Sequence, residues 1–395
     1  MTDVLIIGAG PAGLAAGIAW AKTNRSVCIL ERNSTAGKKL LLSGSGQCNV
    51  THRGTAEEFL QHYGSSAKGN FVKPCYLAFD NAALKQFFAE RGVPLLERED
   101  GKVFPKSLKA EDLLNVLLKE FKKSGGTLQT ETLVRHVRKT PDGFEAETDG
   151  GRFRSQKLVI AAGGQSYPAT GSQGDGFRFA AALGHRIVPP KPALSPVIVQ
   201  NYPFGNCAGI SLSGVPVHLF RSGSPVKKSC GDVLFTHRGL SGPVILDMSR
   251  SIEPGDILSV QMASPDKLPE TLFTGRKTLK NVLLCSGLPE KLLLQLLDIL
   301  RIPPEWPAAE TNRAIRRKII QHLTAFPFAA ARTGDWNQAM ATSGGVALGE
   351  VHRQTMASRL VSGLYFCGEV LDVDGGTGGY NIHFALSSGM IHRSR

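Results

Sequence analysis

Residues 3–31 leave few folds open to this chain. The apolar run 4–7 is short, β-branched and stopped by glycine, the pattern of a buried parallel strand. Gly8, Gly10 and Gly13 follow at the G-x-G-x-x-G spacing. In that spacing one glycine permits a tight turn, one lets a pyrophosphate approach the backbone, and one lets helix and strand pack closely. The next segment, 12–22, carries Ala15, Ala16, Gly17 and Ala19 and can lie close against a sheet. Asn24 and Arg25 turn the chain into a second apolar run, 26–30, which ends at Glu31. An acid about 20 residues beyond such a loop can accept hydrogen bonds from both ribose hydroxyls of an adenosine. A glycine triplet alone is a weak sign, but strand, helix, second strand and acid in register predict a dinucleotide-binding unit with its phosphates on a helix N-terminus. Glu31 also predicts a free 2′-hydroxyl, because a carboxylate would repel a 2′-phosphate.

At 395 residues the chain suits two or three domains, and an apolar content of 42% is ample for their cores. No stretch approaches the roughly 20 uninterrupted apolar residues of a membrane span. With the first strand beginning at Val4 there is no room for a signal peptide, so a cytoplasmic location is expected. Seven cysteines, at 28, 48, 75, 207, 230, 285 and 367, include no C-x-x-C pair, which argues against a metal site or a disulfide scaffold. Cys28 and Cys367 fall in expected strands and read as core; Cys48, in a glycine-rich loop, is the one whose context hints at a site, with packing as the competing reading. The net charge of +13 attracts anionic cofactors and substrates, or polyanions such as RNA. Because the basic residues are spread out, without interleaved aromatics for base stacking, a solvated basic surface is the favoured reading.

Residues 37–52 are too glycine-rich for a helix or a long strand, and Gly44 and Gly46 beside serines predict backbone brought close to a flat or anionic ligand, with Lys38 or Lys39 facing cofactor phosphates. Helical periodicity marks 81–91 and 110–123, and residues 127–138 and 143–149 read as an antiparallel pair. The run 157–164 repeats the design of the first strand: apolar residues, then bare glycine at the carboxyl end, where open α/β sheets bind ligands. A proline-rich crossing at 187–192 marks a boundary. Short β-like runs over 195–260 predict a small barrel or sandwich, followed by apolar-periodic helices at 279–300 and 312–323. Near 341–346 the glycine-rich strand-loop pattern returns; a strand ends at Gly368 and Glu369, and a run of glycines opens a final small-residue helix at 382–390. The division expected is 1–190, an inserted β-rich and helical domain at 191–340, and a return to the first domain at 341–395.

Taken together, residues 3–31, the Ser-Gly-x-Gly-x-Cys-Asn-x-Thr loop at 43–51, the stretch 235–243 and the motifs at 368–374 and 377–381 resemble the HI0933-like flavoproteins, also called the BaiN/YhiN family. The resemblance implies an FAD-dependent, NAD(P)H-using oxidoreductase with an α/β, Rossmann-like fold of the two-dinucleotide-binding type, interrupted by a β-barrel-like plus helical insert. It implies adenosine recognition by Gly8, Gly10, Gly13 and Glu31, with the Val134 backbone at the adenine. It places flavin-side contacts on Lys38, Ser43, Gly44, Asn49, Gly368, Glu369, Gly379 and Asn381. Gln47 and His52 depart from the pattern, where arginine and asparagine are common, and bear on local flavin or substrate contacts. The residues agree with this by themselves, since FAD is longer than NAD and needs the second glycine-rich site at the chain's far end.

The leading expectation is hydride transfer from NADH or NADPH through flavin N5 to an activated double bond of a small organic acceptor. His237 and Arg238 are candidates to polarise that acceptor, with a structural turn before Gly239 as the alternative, and Tyr380 is a candidate to stack on flavin or donate a proton, with packing as its alternative. Only one G-x-G-x-x-G is present, so no separate nicotinamide domain is expected. The rival expectations are an RNA-associated flavoprotein, on the strength of the charge, and a non-enzymatic flavin redox sensor reporting through Cys48 or a partner surface. The acceptor and the oligomeric state are not written in the sequence.

Overall fold

A computed structural model describes residues 1–391, so the last four residues of the expected C-terminal segment lie outside the described residues. The chain divides into two compact units, one formed by 1–192 with 340–395 and the other by 193–339.

The first unit is built on a seven-stranded sheet. Four strands run parallel in the order Thr127–Gln129, Val27–Leu30, Thr2–Ile7 and Gly151–Ile160. Gly151–Ile160 serves two partners on its other side: its first half pairs antiparallel with Gly143–Thr148, and its last three residues pair parallel with Leu364–Phe366. Val134–Thr140 completes the antiparallel edge. Residues 127–129 therefore belong to the parallel sheet and not to the antiparallel pair expected of them. The central strands are apolar at every position because helices cover both faces: Val4 to Ile7, Val27 to Leu30 and Leu158 to Ile160 are all buried. The helix Pro11–Ala21 meets Tyr380–Met390 so closely that a Cβ on Gly389 would lie 2.5 Å from the Ala12 carbonyl oxygen. On another face, a Cβ on Gly17 would lie 2.7 Å from the Phe121 ring of the helix Ala110–Lys123. Gly389 of the last helix and Gly17 of the first thus set the first helix's distance from two neighbours.

The second unit is a closed barrel in the order Val197–Val199, Gly239–Ser241, Ser224–Phe235, Ser211–Arg221, Ile257–Val260 and Phe326–Thr333. Closure is completed by Phe326–Thr333, which arrives only after the helices and which the sequence pattern does not mark. The apolar stretch expected as one helix over 279–300 is two, Leu279–Leu283 and Glu290–Leu300, because Pro289 supplies no N–H for a continuous ladder. Leu292, Leu293, Leu296 and Leu297 join the barrel residues Phe235, Val260 and Phe328 in one core. Among the described residues no helix is long and apolar enough to cross a membrane, and no group of three His, Cys, Asp or Glu stands in metal-holding range.

Candidate active site

The glycine-rich turn after the first strand divides its labour residue by residue. Gly8 has φ 103°, and a Cβ there would lie 2.6 Å from the Ala161 carbonyl oxygen. A Cβ on Gly13 would lie 1.9 Å from the Gly8 carbonyl oxygen, so turn and helix interlock. Gly10, between them, has no atom within 4 Å of its Cβ position. That open cradle stands at the N-cap of Pro11–Ala21, where no side chain caps the helix and Pro11 leads its first turn. Backbone N–H groups and the positive end of the helix dipole therefore stand beside open space at Gly10, a setting that suits an anion.

Glu31 ends the second strand buried, and its carboxylate is aimed at this turn. One oxygen accepts from the Ala9 N–H at 2.9 Å, and the other accepts from the Asn33 N–H at 2.9 Å and its side-chain amide at 2.7 Å. The Thr132 N–H donates to the Glu31 carbonyl, which brings in the segment entering Val134–Thr140. Gly8, Gly10, Gly13 and Glu31 thus form one cluster, with Val134 two residues beyond its edge. A diphosphate on the helix and a ribose on the acid match the adenosine half of a dinucleotide.

The second cluster gathers side chains and backbone from four separate stretches of the first unit around Glu369. Glu369 accepts from Lys39 Nζ at 2.5 Å, the Gly164 N–H at 3.2 Å, the Ser166 hydroxyl at 3.2 Å and the Thr342 N–H at 2.8 Å. Burial pushes the Glu369 pKa up, but the Lys39 charge and these donors outweigh it and hold the carboxyl below its ordinary value. The cation in this cluster is Lys39 and not Lys38, which is half-exposed. Residues 38–42 form a short helix, contrary to the loop expected, and its phase sends the second lysine inward. Glu369 acts here as a clasp whose partners all lie within the chain. Replacing Lys39 with methionine is expected to destabilise the first unit by about 2 kcal/mol, because a part-buried carboxylate loses its counter-charge. An unchanged urea midpoint for Lys39→Met would refute that role.

The C-terminal glycine loop is held from several sides. The Asn381 side chain accepts from the Gly375 N–H at 2.8 Å and donates to the Gly375 carbonyl at 3.0 Å. Gly379 has φ 96°, and a Cβ on it would lie 2.7 Å from the Thr51 backbone nitrogen, so the loop sits directly on residues 49–51. Asn49 in turn donates to the Thr51 and Val103 carbonyls at 2.8 and 3.0 Å, and Ser43 donates to the Leu40 carbonyl. Gly44 takes a left-handed conformation with φ 55°. Gly368 is buried, and its Cβ position lies 2.7 Å from the Ala12 Cβ, so it serves close packing on the first helix. Tyr380 is 2% exposed and stacks on His62 with centroids 4.1 Å apart, which corrects the expectation of a ring offered to flavin. Cys48 is wholly buried with its thiol pushed up to about 12 by desolvation, so it is neither a nucleophile nor a redox reporter.

Two groups in this region escape sequence reasoning. Lys68 Nζ donates to Asp372 at 2.8 Å and Asp374 at 2.6 Å, tying the helix Ser66–Ala78 to the segment before the glycine loop. Burial pulls the Lys68 pKa down, yet the two carboxylates leave it above its ordinary value. The acids stand within the 368–374 motif, but nothing near Lys68 marks it as their partner. His383, on the last helix, accepts from the Thr51 hydroxyl at 2.7 Å and donates to the Phe79 carbonyl at 2.9 Å. At Gln47, where the pattern has arginine, Arg98 Nη2 donates to the side-chain oxygen at 2.9 Å while its guanidinium lies 3.9 Å from the Phe104 ring centroid.

His237 and Arg238 belong to the second unit. They are exposed at a barrel turn whose backbone is fixed by the Thr236 N–H donating to the Gly239 carbonyl and the Val199 N–H donating to the Arg238 carbonyl. The turn is structural, and among the described residues neither side chain is tied up in it.

A parallel sheet with a glycine-rich turn opening its first helix, a buried acid closing its second strand and a second glycine loop at the carboxyl ends of its strands is a Rossmann-type FAD-binding oxidoreductase fold. The sequence profile of the HI0933-like protein Rossmann domain matches residues 2–394, and the chain belongs to that family. It is 30% identical to the 3-dehydro-bile acid delta(4,6)-reductase of Clostridium scindens, over 99% of this chain and 98% of that one. It is also 30% identical to the ribosomal RNA dihydrouridine synthase of Escherichia coli, over 98% of this chain and 96% of that one. The fold is similar to that of a 3-ketosteroid-delta4-(5alpha)-dehydrogenase from Rhodococcus jostii RHA1, with a TM-score of 0.54 at 15% identity, covering 100% of this chain and 97% of that one.

Proposed function

We propose that this flavoprotein reduces a carbon–carbon double bond conjugated to a carbonyl, drawing electrons from NADH or NADPH. The observation that carries the reading is the pairing, within one unit, of the open phosphate cradle at Gly10 with the glycine loop leading into Tyr380–Met390. Two such sites suit a ligand of FAD's length, and when bound FAD supplies hydride transfer at its N5 atom. The two relatives support the choice of bond, because a 3-dehydro-delta(4,6) steroid acid and the uracil of uridine both present an alkene beside a carbonyl.

The chain's own part is to bind and position. Pro11–Ala21 and Glu31 would hold the adenosine diphosphate half, and the segments clasped by Glu369 would line the flavin half. A cytoplasmic setting and a small-molecule acceptor go with this reading. The test is anaerobic mixing with NADH or NADPH, followed by an α,β-unsaturated ketone acid. Bleaching of the flavin and its recovery on adding acceptor are expected; no bleaching with either nicotinamide would refute the donor.

A second reading, in which the acceptor is a uracil base within RNA, is favoured by the net charge of +13. Recovery of the bleached flavin by ribosomal RNA but not by the ketone would establish it in place of the first.

A further inference from the structure

We propose that the outward face of the helix Arg313–Thr324, in the inserted unit, is a docking surface for the phosphodiester backbone of RNA. The inference concerns a surface and not the reaction, so it stands or falls separately from the choice of double bond.

The helix packs through Ile319 and Leu323, which are buried. Arg313, Arg317, Lys318 and Gln321 are exposed on the opposite side, and the segment contains no acid. These charges are badly placed for the helix itself. Arg313 heads the first turn, where the dipole disfavours a cation, and Arg313 and Arg317 repel each other at the i,i+4 spacing. The same chain observes the usual rule in Ala110–Lys123, which has Glu111 and Asp112 in its first turn and Lys122 and Lys123 in its last. The N-terminus of Arg313–Thr324 has no need of a further cap, since the Asn312 side chain accepts from the Ile315 N–H at 2.9 Å.

Arg316 shows what a structural arginine does here: it donates to the Thr311 hydroxyl at 3.1 Å and the Ala309 carbonyl at 3.2 Å and lies over the Phe273 ring. Arg313 and Arg317 do none of this. Lys318 Nζ donates to the Leu300 carbonyl at 3.3 Å, which sets exposed Arg301 at the border of the patch. Among the described residues Arg301, Arg313, Arg317 and Lys318 have no ion-pair partner. Arg313 and Arg317, with no partner and no favourable helix end, fit a polyanion, and guanidinium groups fit phosphate oxygens in pairs; Lys318 and Arg301, at the carboxyl end of Glu290–Leu300, extend the positive charge beside them. The outward face has no large apolar residue to insert into a bilayer, which favours RNA over an anionic membrane.

The test uses the full-length chain and total ribosomal RNA as probe, titrated over a salt series. Wild type is expected to bind with a steep salt dependence. R313E/R317E is expected to bind at least about tenfold more weakly, with the log–log salt slope reduced by about 2. K122E/K123E, carrying the same change in net charge on the first unit, is expected to keep wild-type affinity. No RNA binding by wild type, equal losses in the two double variants, or binding to phosphatidylglycerol vesicles in place of RNA would each overturn the proposal. Arg313→Glu alone is expected to raise the thermal midpoint, because an acid suits the first turn. A lowered midpoint would mean that the arginine serves the fold and would also overturn it. NAD(P)H-driven reduction of a small ketone acid should be the same in R313E/R317E and wild type, so a failure of the reductase reading is seen independently of RNA binding.

Discussion

Gly13→Ala is expected to yield protein that purifies without flavin. The added methyl would stand 1.9 Å from the Gly8 carbonyl oxygen, and that atom belongs to backbone locked against Ala161. The turn can admit it only by opening, at an overpacking cost of about 1–3 kcal/mol. If the cradle must be restored for binding, about 2.8 kcal/mol corresponds to a hundredfold loss of FAD affinity. Gly10→Ala makes the contrasting case, because nothing lies within 4 Å of its Cβ position. The apoprotein should unfold at the wild-type midpoint, while the methyl occupies space meant for the diphosphate and weakens FAD. Flavin absorbance per polypeptide and apoprotein melting separate the two. A Gly10→Ala protein with a full flavin complement would remove the phosphate turn from the site.

The second large effect is a loss of stability between pH 6.5 and about 4. His383 is fully buried, and desolvation brings its pKa from 6.5 down to about 4, even though the Phe79 carbonyl favours the charged form. The unfolded chain takes up a proton near pH 6.5 while the folded chain does not, so stability falls as pH drops through this window. At about 1.4 kcal/mol per pH unit the total is about 3 kcal/mol. The depressed Glu369 carboxyl acts in the same direction, but only as pH falls below the ordinary carboxylate value of 4.5. Urea unfolding of wild type and His383→Gln across the window isolates the histidine. A wild-type slope retained in the variant would assign the acid sensitivity elsewhere.

Much of the framework can be read from local pattern. The first strand, glycine turn and helix are spelled out because the turn closes on itself within a few residues, as Gly13 does against Gly8. The helix Ala110–Lys123 is visible end to end, since apolar stripe, acidic start, basic end and Gly125 agree. What stays hidden depends on distant partners. Thr127–Gln129 is too short to declare its direction, which comes from pairing with Val27–Leu30. Lys38 and Lys39 are chemically equivalent neighbours, and only the phase of a five-residue helix assigns one of them to Glu369. His383 reads as one more polar residue on a small-residue helix until Thr51 and Phe79 are brought to its two nitrogens. For Tyr380 the sequence leaves flavin stacking, proton donation and packing open, and packing is what the glycines beside it serve, since a Cβ on Gly375 would lie 2.7 Å from the Tyr380 Cβ.

The contact between Pro11–Ala21 and Tyr380–Met390 bears on how the molecule comes into being. A nascent chain leaves the ribosome with its opening helix lacking the surface that will cover it, and it waits through the whole inserted barrel for that surface to be translated. The barrel, whose last strand ends at Thr333, has every piece it needs well before then. During synthesis the middle unit can therefore close first, while the first helix of the cofactor-binding unit stays without its covering until residues 380–390 are made.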